Sequence, residues 1–236
     1  MLKVLVLDVG GSNIKLWAAG RRKPIKIPSG PSMTARDMVR DVKQAVRNWT
    51  YDVVSIGYPG VVLLGKIATE PHNLGGGWVG FNFSRAFRRP VIVINDAAMQ
   101  ALGSYRTGRM LFLGFGTGLG AAVIADGVVE PTELAHLPYL KGRTYEDYVG
   151  RSGLRRLGKK KWRRHVNDVV TRLRDALEVD DVVVGGGNAK KLKTLPRGVR
   201  RGTNANAFLG GVSLWNEKRQ EKRAATHRRS TLVLRP

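Results

Sequence analysis

The chain has 236 residues, 42% of them hydrophobic and none of them cysteine. It is long enough to bury one large core or two modest ones, and the lack of Cys excludes disulfides, Cys-ligated zinc and thiol nucleophiles. With 41 Lys and Arg against 18 Asp and Glu, the formal net charge is +23, a field that draws polyanions because each neutralised phosphate releases condensed counterions.

The opening MLKVLVLDVGG lacks the pattern of a signal peptide, and no stretch approaches the roughly 20 apolar residues of a membrane span. A soluble cytoplasmic protein without a membrane partner is expected. Residues 2 to 9 read as a strand and 13 to 18 as its antiparallel continuation after a Gly-Gly turn. Residues 34 to 49 read as a helix capped by Thr34, with Asp37 three positions on. Strands follow at 53 to 60 and at 91 to 94; the latter, four consecutive apolar residues, predicts a strand inside a covered sheet. A helix from about 96 to 106 and a hairpin over 110 to 130 come next, then helices at 144 to 157 and 165 to 178, the second with Val166, Val169, Val170 and Leu173 on one face. A strand at 181 to 187, a basic stretch and a last helix at about 204 to 220 complete the pattern. The basic tail beyond it reads as solvated or partly disordered.

Two features carry chemistry. The covered strand ends in Asn95-Asp96, and a carboxylate there is either the cap of the next helix or a chemical tool. Three Gly-rich turns each follow a strand: Asp8-Val-Gly-Gly-Ser-Asn-Ile-Lys15, Gly114-Phe-Gly-Thr-Gly-Leu-Gly120 and Gly185-Gly-Gly-Asn188. Such turns let backbone N–H groups approach an anion, and Ser12 and Thr117 add uncharged donors. None is a Walker A loop, and the one loose GxGxxG lies in a hairpin rather than opening a helix. What remains is a phosphate clamp made of two facing hairpins.

These segments, with Gly57-Tyr-Pro59-Gly60 and Glu133-Leu-Ala-His136, occur in the order found in the ROK sugar kinases of the actin/hexokinase superfamily, and the resemblance covers most of residues 2 to 215. Within the family, the short length, TELAHL and TYEDYVG are most similar to the polyphosphate glucokinases. The resemblance implies an α/β chain with the two-lobed actin-like ATPase/hexokinase fold, ribonuclease H-like lobes and a central cleft. One lobe would comprise residues 1 to 97 joined by the last helix, about 206 to 220, and the other 98 to 205, leaving 221 to 236 as a basic tail.

The resemblance also implies roles. Asp96 would be the general base that accepts the proton of a sugar 6-hydroxyl as that oxygen attacks a terminal phosphoryl group, a reaction governed by positioning and charge stabilisation. Asn95, Glu133, His136 and Glu146, with Asn73, would join Asp96 in binding glucose or a related hexose; ordinary solvated glutamates and a structural histidine are the plain alternatives. Asp8, Gly10, Gly11, Ser12 and Asn13 would face the donor phosphates, with Asp8 holding Mg²⁺ directly or through water. Lys15 is a phosphate neighbour or a surface lysine. Gly116, Thr117 and Gly118 would form the opposing phosphate loop, and Gly186 and Gly187 the place of a nucleotide if ATP is the donor. The family's Cys-rich zinc segment is missing and Ala135 replaces the usual Gly before the His, so no zinc is expected. Family members are commonly homodimers, which is the expectation here.

The charge then has a candidate partner. Residues 151 to 164 hold eight Lys or Arg and no acid. Arg155, Arg156, Lys159, Lys160, Lys161, Arg163 and Arg164 would form a track for polyphosphate, the alternatives being a solvated basic surface or a nucleic-acid-binding regulator. The regulator is less favoured, because ROK repressors place a helix-turn-helix before the first hairpin, whereas here the strand begins at residue 2. Trp162, within this run, reads as packing rather than a stacking platform.

Overall fold

The computed structural model describes residues 2–203 and 205–216; the basic tail expected at 221 to 236 lies outside them. Strand β1 (Val4–Val9) is buried along its whole length, which is why it reads as a nearly unbroken apolar run: both faces of its sheet are covered. It pairs antiparallel with β2 (Asn13–Ala18), which carries on to β3 (Ile25–Pro28). On its other side lie β4 (Val53–Tyr58) and then β7 (Val91–Asn95), both parallel. The first sheet has the order β3-β2-β1-β4-β7, and a small hairpin, β5 (Val62–Leu63) with β6 (Lys66–Ile67), projects from it.

Helix α1 (Ala35–Ala45) starts where expected, with a reciprocal cap between Thr34 and Asp37, and ends earlier than predicted. With the short α2 (Phe83–Phe87) it covers one face of this sheet, enclosing Leu5, Leu7, Ile56, Met38 and Trp78. The covered-strand expectation for 91 to 94 needs a correction. Val91 and Val93 pack toward that core and Ile92 and Ile94 toward the opposite one, but β7 is an edge strand, and its residues keep partial exposure.

The second sheet repeats the pattern. The hairpin β8 (Met110–Phe115) and β9 (Leu119–Ala125) is flanked by β10 (Val128–Thr132) on one side and by the parallel strands β11 (Asp181–Gly185) and β12 (Val199–Arg201) on the other. Its outer face is covered by α4 (Tyr145–Val149) and α5 (Arg151–Leu177) around Trp162, Val166, Val169 and Val170. Trp162 is buried and donates its Nε1–H to the Val149 carbonyl, as the packing reading expects.

The helices predicted at 144 to 157 and 165 to 178 divide differently. The first break falls at Gly150 and the second at Gly158, whose φ of 70° kinks α5. Glycine tolerates that left-handed geometry, and Lys159 to Arg164, expected between two helices, is helical. The basic stretch before residue 201 also gains a structural account. Arg200 is paired with Asp181, and Arg201 donates to the carbonyls of Ala189 and Leu192.

Between the sheets lie α3 (Asp96–Ser104) and α6 (206–216). Helix α3 packs on the second sheet through Ala97, Ala101 and Phe112, and α6 on the first through Ala207, Phe208 and Trp215. The two helices cross backbone against backbone: a side chain on Gly103 would run into the Asn206 carbonyl, and one on Gly210 into that of Met99.

Candidate active site

Asp96 begins α3 at the end of the edge strand, so its carboxylate emerges where the two sheets come together. The neighbouring Asn95 is the helix cap: its Oδ1 accepts from the N–H groups of Ala97 and Ala98, and its Nδ2 donates to the Gly60 carbonyl at 3.1 Å. This division of labour matters, because the cap relieves Asp96 of that duty. Asp96 accepts from the Ala97 N–H, at 2.8 Å, in its own turn.

Around Asp96 the protein gathers further negative charge. Burial is the first cause that pushes its carboxyl up to about 7, followed by the charge of Asp8, with a smaller contribution from Glu133; the Ala97 N–H and Lys15 oppose the rise. The residue retains some exposed surface, so solvent reaches it from one side while the strand ends and loops withdraw the rest from water. A carboxyl poised near neutrality can exchange a proton with a substrate hydroxyl.

Asp8 is buried at the end of β1, with its Oδ2 held by Lys15 Nζ at 2.6 Å across the β1–β2 register pair. That pairing gives Lys15 a definite place beside the carboxylates. The turn between these strands is braced by Ser29, which donates its hydroxyl to Gly10 O at 2.6 Å while its N–H donates to Ser12 O. Ser12 and Asn13 are exposed at the tip. Gly11 lies against Asn73, whose Cβ would stand 2.7 Å from a side-chain carbon added at Gly11, so the loop of residues 71 to 78 and the first glycine turn close on one another.

The opposing turn joins β8 to β9. Gly116 N–H donates to Gly118 O at 3.0 Å, Thr117 O accepts from Arg151 N–H at 3.0 Å, and Leu119 N–H donates to Glu146 Oε2 at 2.9 Å. A side chain on Gly118 would occupy the place of the Glu146 carboxylate. Glu146 thus fastens this loop to α4. The loop nears α3 at Gly120, where an added carbon would stand 3.0 Å from Ala97 Cβ.

The third turn meets the second through Asn188, a residue to which its spacing assigns no role. Its N–H donates to Phe115 O and its Nδ2 to Gly116 O, each at 2.8 Å, while Lys191 Nζ donates to its Oδ1. Gly186 has a φ of 79° and packs against the Phe115 backbone, a conformation and closeness that glycine alone accepts readily; Gly187 beside it has open space. The signal for Asn188 was its position directly after three glycines; the signal for Ser29 lay 19 residues from its partner.

Glu133 and His136 lie in a short 3₁₀ turn after β10 with their side chains largely exposed, 3.9 Å apart. Of the basic run, Arg155, Arg156, Lys159, Lys160, Lys161 and Arg164 are exposed, whereas Arg163 donates its Nε–H to the Lys191 carbonyl at 2.6 Å. Among the described residues no group of three or more His, Cys, Asp or Glu is placed to hold a metal ion. Asp8, buried beside a glycine turn with its Oδ2 on Lys15 Nζ, is the carboxylate that could hold Mg²⁺, which binds through one or two carboxylates and keeps its remaining positions for water and phosphate oxygens. Among the described residues no helix is long and apolar enough to cross a membrane.

The two sheets sandwiching two helices form the actin-like ATPase/hexokinase fold, and the chain is similar to ROK sugar kinases in sequence and structure. Among sequences, it is similar to the polyphosphate glucokinase of Mycobacterium leprae, 28% identical over 210 residues that span 78% of this chain and 63% of that one. Among solved structures, it superposes on the inorganic polyphosphate/ATP-glucomannokinase of Arthrobacter sp. strain KM with a TM-score of 0.77 at 21% identity, covering 89% of this chain and 97% of that one. A ROK family glucokinase from Streptomyces griseus, in complex with glucose and AMPPNP, gives 0.74 at 17% identity over 90% and 98%. No family model matches the chain.

Proposed function

We propose that the protein is a sugar kinase that transfers a phosphoryl group from polyphosphate, ATP or both to the 6-hydroxyl of glucose or a related hexose. The observation that carries this reading is the Asp96 carboxyl, pushed up to about 7 by burial and by Asp8 of the first glycine turn, one residue before the Ala97 that Gly120 approaches. In its ionised form it takes the proton of the sugar hydroxyl as the oxygen attacks, and the proton ends on Asp96. The sugar is held by Asn73, Glu133 and His136 around its ring. Asn95 and Glu146 join them, each fixed by a bond to the protein, Asn95 Nδ2 to Gly60 O and Glu146 Oε2 to Leu119 N–H. Residues 1 to 97 with α6, and 98 to 205, act as two lobes that close on the sugar and exclude water.

The donor lies along the turns of Gly10–Ser12 and Gly116–Gly118, where backbone N–H groups and two hydroxyls meet its oxygens. Mg²⁺ held by Asp8, directly or through water, would neutralise charge on the donor phosphates when bound. Lys15 keeps a positive charge beside Asp8 on the same side. The 28% identity to a polyphosphate glucokinase and the cations of α5 support polyphosphate as a donor. Gly187, beside the second turn, has open space in which a nucleotide would lie, while Gly186 behind it packs on the Phe115 backbone.

The test is sugar phosphorylation by the purified protein with Mg²⁺, glucose and either ATP or long-chain polyphosphate, at low and high salt. Turnover of sugar with either donor is expected, with polyphosphate use falling as salt rises. Absence of turnover with every hexose and both donors would overturn the reading.

A further inference from the structure

The kink at Gly158 divides the basic run into two parts with different surroundings. Beyond it, Lys159, Lys160 and Lys161 project from the helix as exposed side chains. Before it, Arg155 and Arg156 join Arg143, Ser152 and Asp147 in lining an open pocket of about 510 Å³. A neighbouring pocket of about 370 Å³ shares Arg143 and Arg156 and adds Lys141, Tyr148 and His165, so the two form one basic depression.

The one acid in the first pocket is already engaged. Asp147 Oδ2 accepts from the Thr144 N–H at 2.9 Å and the Thr144 hydroxyl at 3.1 Å, and the backbone bond from Thr144 is the main cause holding its carboxyl below the usual range. Arg156 is fixed in advance. It donates to the Asp147 carbonyl at 2.7 Å, and its guanidinium lies 5.0 Å from the centre of the Tyr148 ring. A pre-set guanidinium flanked by two exposed ones suits an extended anion with several phosphate groups, since each planar fork can take two oxygens.

The position of the pocket says which anion. Helix α4 turns Glu146 toward Leu119 of the donor turn and contributes Asp147 to the pocket, while Arg151 N–H binds Thr117 O one residue before Ser152. A chain of phosphates whose end lies at Gly116–Gly118 therefore meets Arg151 and Ser152 next. We propose that the pocket of Arg143, Ser152, Arg155 and Arg156 anchors the distal phosphates of a long polyphosphate donor, so that the enzyme selects its donor by length. The proposal rests on the polyphosphate-donor reading above and adds Arg143 and Ser152, and a division of labour, to it.

The test compares two double variants with equal loss of charge: Arg143→Gln with Arg155→Gln, and Lys159→Gln with Lys160→Gln. Thermal unfolding midpoints establish that both are folded, and KM is measured for long-chain polyphosphate and for tripolyphosphate at one ionic strength. The arginine pair is expected to raise the KM ratio of long to short donor about tenfold, from lost charge-assisted bonds to distal phosphates, while the lysine pair leaves the ratio near that of the wild type. Equal changes in the two variants would reduce the pocket to general electrostatics and overturn the proposal. So would a wild-type protein that turns over sugar with ATP and neither binds nor uses polyphosphate, an outcome that leaves the kinase itself standing. Displacement of bound polyphosphate by duplex DNA at equal phosphate concentration, undiminished in the arginine pair, would assign the charge to nucleic acid instead.

Discussion

The carboxylate of Glu146 accepts the backbone N–H of Leu119 at 2.9 Å, in the space that a side chain on Gly118 would need. A helix residue thereby sets the shape of a turn 27 positions earlier. Glu146→Ala should leave Leu119 N–H without its charged acceptor, a loss of about 1.5–3 kcal/mol in local order. Turnover and donor KM should both worsen, whereas Glu146→Gln, which keeps an acceptor, should recover part of the loss. Steady-state kinetics with ATP and polyphosphate check this; equal kinetics in Glu146→Ala and the wild type would remove Glu146 from the control of the turn.

Asp96 gives a pH signature with a definite sign. Its folded-state pKa of about 7 lies above the 3.8 of the free carboxyl, so the folded protein holds more protons between these values and loses stability as pH rises through them. Asp96→Asn removes that cost. The variant should therefore gain stability over the wild type as pH increases from about 4 to about 7, measured by urea unfolding.

The same group predicts the rate profile. The proposed base acts only when ionised, so kcat/KM should fall on the acid side with an apparent midpoint near 7. Asp96→Asn should lower kcat by about 10²-fold or more with little change in sugar affinity. A flat acid limb, or near-normal turnover in Asp96→Asn, would exclude Asp96 as the base.

Asn188 joins the second and third turns through Gly116 O, Phe115 O and Lys191. Replacing it with Ala keeps the backbone bond to Phe115 and removes the side-chain bond to Gly116, which should cost about 1–3 kcal/mol if that carbonyl stays dry. The expected result is a higher KM for the phosphoryl donor with sugar KM nearly unchanged.

The contact of α3 with α6 admits no side chain at Gly103 or Gly210. Gly210→Val should destabilise the protein by about 1–3 kcal/mol or more, because the helices must separate to admit it. A urea midpoint equal to that of the wild type would mean that the crossing yields freely.

Much of this was legible in the chain because its signals are local. The Thr34–Asp37 cap, the apolar run of β1 and the glycine turns each depend on neighbours a few residues apart. The break at Gly158 was missed since helical periodicity continues on both sides and only the backbone angle reveals it. Strand β12 was hidden in a basic stretch, as Arg200 and Arg201 are neutralised or bonded by distant partners, Asp181 and the carbonyls of Ala189 and Leu192. In the site, Asp96 was visible from its position after a strand. The support given by Ser29, Asn188 and Glu146 depends on tertiary contacts that spacing does not carry. The edge position of β7 likewise follows from strand order, which four apolar letters do not encode.

The crossing of α3 and α6 also sets how far the site can travel. Gly210 touches the Met99 carbonyl, and Met99 lies three residues from Asp96, about 5 Å along the helix axis. If one sheet turns against the other about this crossing, Asp96 sits on a short radius and sweeps a small arc, while the glycine turns at the strand ends swing on longer arms. Under such a rotation the proposed proton acceptor would stay near the fulcrum, and the motion would chiefly carry the glycine turns toward it or away.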